Sequence, residues 1–104
     1  MVFPQLQSHL LTLPNLYTTQ SQKDPICAIK LFLPNSFWSW YIIEFSHENR
    51  DICFGYVIGL ESELGYFSLK ELNSLTHCNS KVEIDTSFEP LKLSEVKRVS
   101  NETF

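Results

Sequence analysis

Apolar positions along the chain follow two different periods. Phe3, Leu6, Leu10 and Leu13 recur at steps of three, four and three, one stripe on a helix. Pro4 suits a first helical turn and Pro14 stops the pattern, which predicts a helix over about 3–13. So short a helix must dock on other structure. Residues 15–25, NLYTTQSQKDP, are polar and turn-rich and read as a loop. The period then falls to two. ICAIKLFL (26–33), FWSWYIIEFS (37–46), ICFGYVIGL (52–60) and LGYF (64–67) read as strands, and VEIDTSF (82–88) as a last, edge-like one closed by Pro90. The short connectors predict antiparallel hairpins.

Strict alternation in 37–46 places Trp38, Trp40, Ile42 and Glu44 on one face, and Phe37, Ser39, Tyr41, Ile43 and Phe45 on the other. Neither face is polar, so the sheet is expected to be covered on both sides, by helices or by a partner. Between 59 and 72, GLESELGYFSLKEL divides into a strand end, an acidic turn at Glu61-Ser62-Glu63, a return strand and a helix start. Ser68 and Glu71 have capping-box spacing, and Phe67 and Leu72 the spacing of a hydrophobic staple, which predicts a helix over about 69–76. Ser94 is placed to cap a short turn through Val99, and the tail from about 100 is expected to be loose. The sum is one α+β domain: an antiparallel sheet of four to five strands with two to three short helices.

Composition narrows the function classes. The chain has 104 residues, 43% of them hydrophobic and 13% aromatic, enough to build a core. Its net charge of −4, with Lys30 the only base in the first three strand runs, argues against direct nucleic-acid binding. There is no basic leader segment and no apolar run near the roughly 20 residues of a membrane span. Cys27, Cys53 and Cys78 are odd in number and contain no CxxC pair, which points to reduced thiols and a cytoplasmic protein.

No constellation of catalytic type is present. His9, His47 and His77 share no metal-ligand spacing, and neither a nucleophile elbow nor a phosphate loop occurs. No cofactor, metal or catalytic residue is therefore assigned. Candidate binding residues remain. Trp38 and Trp40 with Glu44 form an aromatic shelf with an acid at its edge, Tyr41 joins the same aromatic cluster from the other face, and Glu61, Glu63 and Tyr66 have no obligatory structural role. Such a shelf suits a peptide, a partner surface or a cation.

Several stretches resemble a known family: Leu13-Pro14-Asn15-Leu16-Tyr17, Lys30-Leu31-Phe32 with Pro34, Trp38-Ser39-Trp40-Tyr41 with Glu44, Phe54-Gly55, and above all Gly59 through Leu72. Asp85, Phe88-Glu89-Pro90 and Leu93-Ser94-Glu95 extend the likeness. Over about Leu13 to Val96 the chain resembles the bacterial family called domain of unknown function 2958. Ile84 departs from it, standing where a basic residue is expected before the Asp. The resemblance implies a small bacterial protein of a kind carried on plasmids and other mobile elements, and it brings no functional residues with it. The expected function is a non-enzymatic interaction module that binds a protein partner, or itself, through the aromatic sheet face. One alternative is an acidic inhibitor of a DNA-binding or host-defence protein, which requires Glu61, Glu63, Glu83, Asp85 and Glu89 on one surface. The other is a carboxylate-based hydrolase or metal-binding protein using Glu44, Glu61 and Glu63.

Overall fold

The structure is a computed structural model that describes residues 3–102. A 3₁₀ turn, Pro4–Leu6, runs into α1, Gln7–Leu10. The predicted stripe is intact, since Phe3, Leu6, Leu10 and Leu13 are all buried. The helix ends three residues early because the Thr12 hydroxyl donates to the His9 carbonyl (2.6 Å) and the Leu13 N–H to the Leu10 carbonyl (3.1 Å), tightening the last turn.

The predicted strand 26–33 is two strands, β1 (Ile26–Cys27) and β2 (Ile29–Phe32), broken at Ala28. Next come β3 (Ser39–Phe45) and β4 (Ile52–Ile58). β5 (Ser62–Ser68) is longer than the expected 64–67, because the turn needs only Gly59–Glu61 to close, through the Gly59 N–H to the Glu61 carbonyl at 3.1 Å. Helix α2 covers Leu69–Ser74. A small hairpin follows, β6 (Thr76–His77) and β7 (Ser80–Lys81), turning on Cys78 and Asn79, both at positive φ. The last predicted strand, 82–88, shrinks to β8 (Glu83–Ile84), and β9 (Leu91–Lys92) leads into α3.

Helix α3 spans Leu93–Glu102, so the chain from Ser100 to Glu102 is helical where a loose tail is expected. Thr103 and Phe104 lie outside the described residues. The cause is a remote cap. Asp24 accepts from the Ser94 N–H (2.8 Å) and from the Ser94 hydroxyl (2.6 Å), and the Pro25 carbonyl accepts from the Leu93 N–H (2.9 Å).

The main sheet is antiparallel, in the order β5-β4-β3-β2-β8, and β1 pairs with β9 outside it. One face packs on the N-terminal segment and α2 through Leu10, Leu31, Trp40, Ile42, Phe45 and Leu69. The other packs on α3 through Tyr41, Ile43, Tyr56, Ile58, Leu93 and Val96. Both faces are therefore covered, as the apolar alternation of β3 requires. That alternation is not strict. Ile42 pairs with Gly55 and Glu44 with Phe54, so Ile43 is an inserted residue, a β-bulge. Beyond it Phe45 rejoins the face of Trp40 and Ile42. Glu44 moves to the α3 face, not the tryptophan face on which unbroken alternation places it.

Candidate functional site

The site begins with the turn between β4 and β5. A Cβ placed on Gly59 would lie 2.3 Å from two ring atoms of Trp38, so the absence of a side chain there lets the indole lie flat on the backbone. Trp38 precedes β3 and is half-buried. Its ring stacks on Trp40 (centroids 5.9 Å apart) and on Phe37 (6.4 Å). Glu63 pairs with Val57 across the β4–β5 ladder, which puts its side chain on the Trp38 face, and Glu61 precedes it by one alternation. A hollow of about 380 Å³ results, lined by Trp38, Val57, Leu60, Glu61 and Glu63. Leu60 is 87% exposed at its rim. The lining offers an indole face, two carboxylates and apolar side chains, but no histidine, hydroxyl or thiol. It can receive a cation flanked by hydrocarbon.

The other predicted residues go elsewhere. Trp40 and Tyr41 are core, at 4% and 7% exposure. Tyr41 is edge-on to Phe88 (5.5 Å) with the Lys30 ammonium over its ring (5.6 Å). Glu44 is 1% exposed and fully engaged. One carboxylate oxygen accepts from the Tyr17 N–H (2.8 Å), and the other from the Thr19 N–H (2.8 Å) and hydroxyl (2.6 Å). Glu44 thus pins the 15–25 loop to β3. Its register partner's neighbour on β5 is Tyr66, three residues and roughly 10 Å along from Glu63 and on the opposite face. Glu44, Glu61 and Glu63 do not converge, and among the described residues no group of three His, Cys, Asp or Glu is placed to hold a metal ion. Tyr66 is exposed beside Phe54 (5.0 Å) and Tyr17 (6.0 Å). Partial burial, then the nearby Tyr17 and Glu44, push its phenol upward.

The acids of the inhibitor alternative are divided. Glu61 and Glu63 stand at the β5 end of the sheet, whereas Glu83 lies in β8 at the far edge. Asp85, just after β8, is engaged by Ser87 (2.7 Å) and Lys30 (3.6 Å). A larger hollow, about 710 Å³, lies by that far edge between Phe3, His9 and Val82; Asp85, already engaged, is one of its polar walls. The thiols of Cys27 and Cys53 are buried, and burial pushes Cys27 up to about 12 and Cys53 upward as well, which favours the neutral thiol.

Sequence reasoning passed over three polar anchors: Asp51, Asp24 and Thr19. Asp51 accepts from the Ser68 hydroxyl (2.6 Å) and the Lys70 N–H (2.9 Å), supplying the anion at the start of α2, while Ser68 accepts from the Glu71 N–H (3.2 Å) as its capping-box spacing predicts. The only sequence signal for Asp51 was an acid in a polar connector.

A family model described as "Protein of unknown function (DUF2958)" matches residues 1–103. The chain belongs to that family. No curated protein and no solved structure matches it. Membership in DUF2958 assigns no activity to the Trp38 hollow, so its chemistry rests on its own side chains. Among the described residues of this DUF2958 chain, no helix is long and apolar enough to cross a membrane.

Proposed function

We propose that the chain is a cytoplasmic, non-enzymatic protein-interaction module of a bacterial plasmid or other mobile element, and that it binds a partner by taking a lysine or arginine side chain into the Trp38 hollow. The observation that carries this reading is the convergence of the Trp38 indole with Glu61 and Glu63 around an open, water-accessible hollow. A guanidinium or ammonium stacked on the indole and paired with the carboxylates gains both attractions, while Leu60 and Val57 cover the aliphatic stem. The partner's surface is therefore basic, which fits the chain's net charge of −4. The same acids repel phosphate, so the hollow does not suit a nucleic-acid backbone.

The test is a displayed library of random peptides panned on the purified protein. Enrichment of Lys- or Arg-containing peptides is expected, with affinity reduced about tenfold by Trp38→Ala and by the pair Glu61→Gln and Glu63→Gln, and falling with added salt. Gly59→Ala, which displaces the indole, should give the same loss with the acids intact. Peptides without basic residues, or binding indifferent to all these changes, would sink the proposal.

A further inference from the structure

Strand β5 forms one edge of the main sheet, and among the described residues no strand lies beyond it. Two backbone bonds fix which of its groups are free. The Gly59 N–H donates to the Glu61 carbonyl (3.1 Å) and the Leu69 N–H to the Asp51 carbonyl (3.0 Å). In an antiparallel ladder the bonded residues alternate, so 61, 63, 65, 67 and 69 turn toward β4. The N–H and C=O groups of Ser62, Leu64, Tyr66 and Ser68 point outward. Most of the devices that usually protect such an edge are missing, Glu63 being the single charge in the strand. Ser62–Ser68 contains no proline, no lysine and no bulge. By contrast the opposite edge, β8, is only two residues long. Leu64 and Tyr66 add apolar side chains at 45% and 52% exposure on one face, with Tyr17 at 59% beside them.

Gly65 is the second observation. It sits at the centre of β5 without positive φ, and a Cβ built there would meet nothing within 4 Å. Neither turn geometry nor packing within the chain asks for glycine here, unlike Gly55 opposite it, whose Cβ would collide with the Tyr41 carbonyl. Glycine inside a strand weakens it and is characteristic of a place where another backbone approaches closely.

We infer that β5 is the contact of a two-fold symmetric dimer, in which a second copy of the chain continues the sheet antiparallel with Gly65 opposite its own copy. That register pairs all seven residues of the strand. Ser62 faces Ser68, Leu64 faces Tyr66, and Glu63 faces Phe67. The outward groups form about eight new backbone bonds. No acid opposes an acid, whereas moving the centre two residues to Glu63 sets that carboxylate against its copy. On the α3 side the axis gathers two leucines and two tyrosines. At the ends of the pairing Glu61 comes alongside the exposed Lys70 of the second copy, a complementary contact repeated by symmetry. The Trp38 hollow opens on the other face, where Glu61 and Glu63 border both the hollow and the pairing, so the dimer carries two such hollows beside its seam.

Sedimentation equilibrium over a roughly hundredfold concentration range tests the inference, because a self-associating fold shows mass action. The expected result is a monomer–dimer equilibrium that Leu64→Pro abolishes with the far-ultraviolet circular dichroism unchanged, since this proline removes an outward N–H and spares the ladder to β4. If Leu64→Pro disturbs folding, Tyr66→Lys, which places a charge against Leu64 on both sides of the axis, must give the same loss. Register is read by cross-linking in a Cys78→Ser background. Gly65→Cys should form a disulfide-linked dimer and Ser62→Cys should not, because only residue 65 faces itself. A wild-type chain that stays monomeric, a dimer unaffected by Leu64→Pro and Tyr66→Lys, or equal cross-linking at 62 and 65 would each overturn it. A monomer that instead captures an extended peptide along β5 would assign the edge to that peptide and leave the Trp38 reading untouched.

Discussion

Glu44 is an acid buried in an aromatic strand, and the groups that satisfy it are the protein's own. An acid in the middle of an aromatic strand is a sequence signal that something must satisfy it. The satisfying groups are two backbone N–H donors and a hydroxyl from a loop some 25 residues earlier, at Tyr17 and Thr19. Nothing in the sequence marks that loop as the partner, because Tyr17 reaches the carboxylate through a left-handed backbone at φ 72°. Glu44→Ala strips the acceptor from buried donors and is expected to cost about 2–4 kcal/mol in urea unfolding. Glu44→Gln should recover only part of that, since its amide turns a donor toward the donors of Tyr17 or Thr19. A fully stable Glu44→Ala variant would show that the loop is not held there. Trp38, by contrast, kept a functional reading because the turn glutamates and the glycine beneath its ring came to it, and both were visible in the GLESE segment.

Among the elements, legibility followed length. The three long strands and α2 were evident from period and capping, since each carries enough residues for its pattern to show. β6, β7 and β9 are two residues each and exist because a neighbour offers bonds, which composition does not report, whereas β1 and β8 fall inside the expected strands 26–33 and 82–88 but keep only two residues each. The same distinction separates the two facing glycines of β4 and β5. Gly55→Ala would press a Cβ to within 1.8 Å of the Tyr41 carbonyl, a backbone atom that cannot swing aside, and is expected to destabilise by about 3 kcal/mol or to prevent folding. Gly65→Ala meets open space and should leave the monomer as stable or raise it by a few tenths of a kcal/mol, as replacing a strand glycine generally does. Paired thermal melts of the two variants check this, and similar losses from both would mean that β5 is more crowded than its surroundings indicate.

At the scale of the molecule, the chain is closed on itself by bonds between distant segments. Asp24 holds the start of α3 across a separation of 70 residues, and Asp85 ties the segment after β8 to Lys30. The Ser94 hydroxyl and N–H hold the Asp24 carboxyl below its usual 3.8, and the Ser87 hydroxyl does the same for Asp85, helped by Lys30. A carboxyl lowered in the folded state stabilises fully above its unfolded value and loses that contribution as pH falls through the folded one. Wild type should therefore be more stable than Asp24→Ala at neutral pH, with the gap closing as pH drops below about 4. Urea midpoints at stepped pH measure it, and a gap unchanged in acid would mean that Asp24 acts as a neutral acceptor. The sheet's one irregularity has a consequence for how such a chain can change length. Since Ile43 is the residue that re-phases β3, deleting it would send Glu44 into the apolar layer under α1 and turn Phe45 toward α3, inverting the strand's second half. A chain lacking one residue between Ile42 and Phe45 would therefore have a different interior.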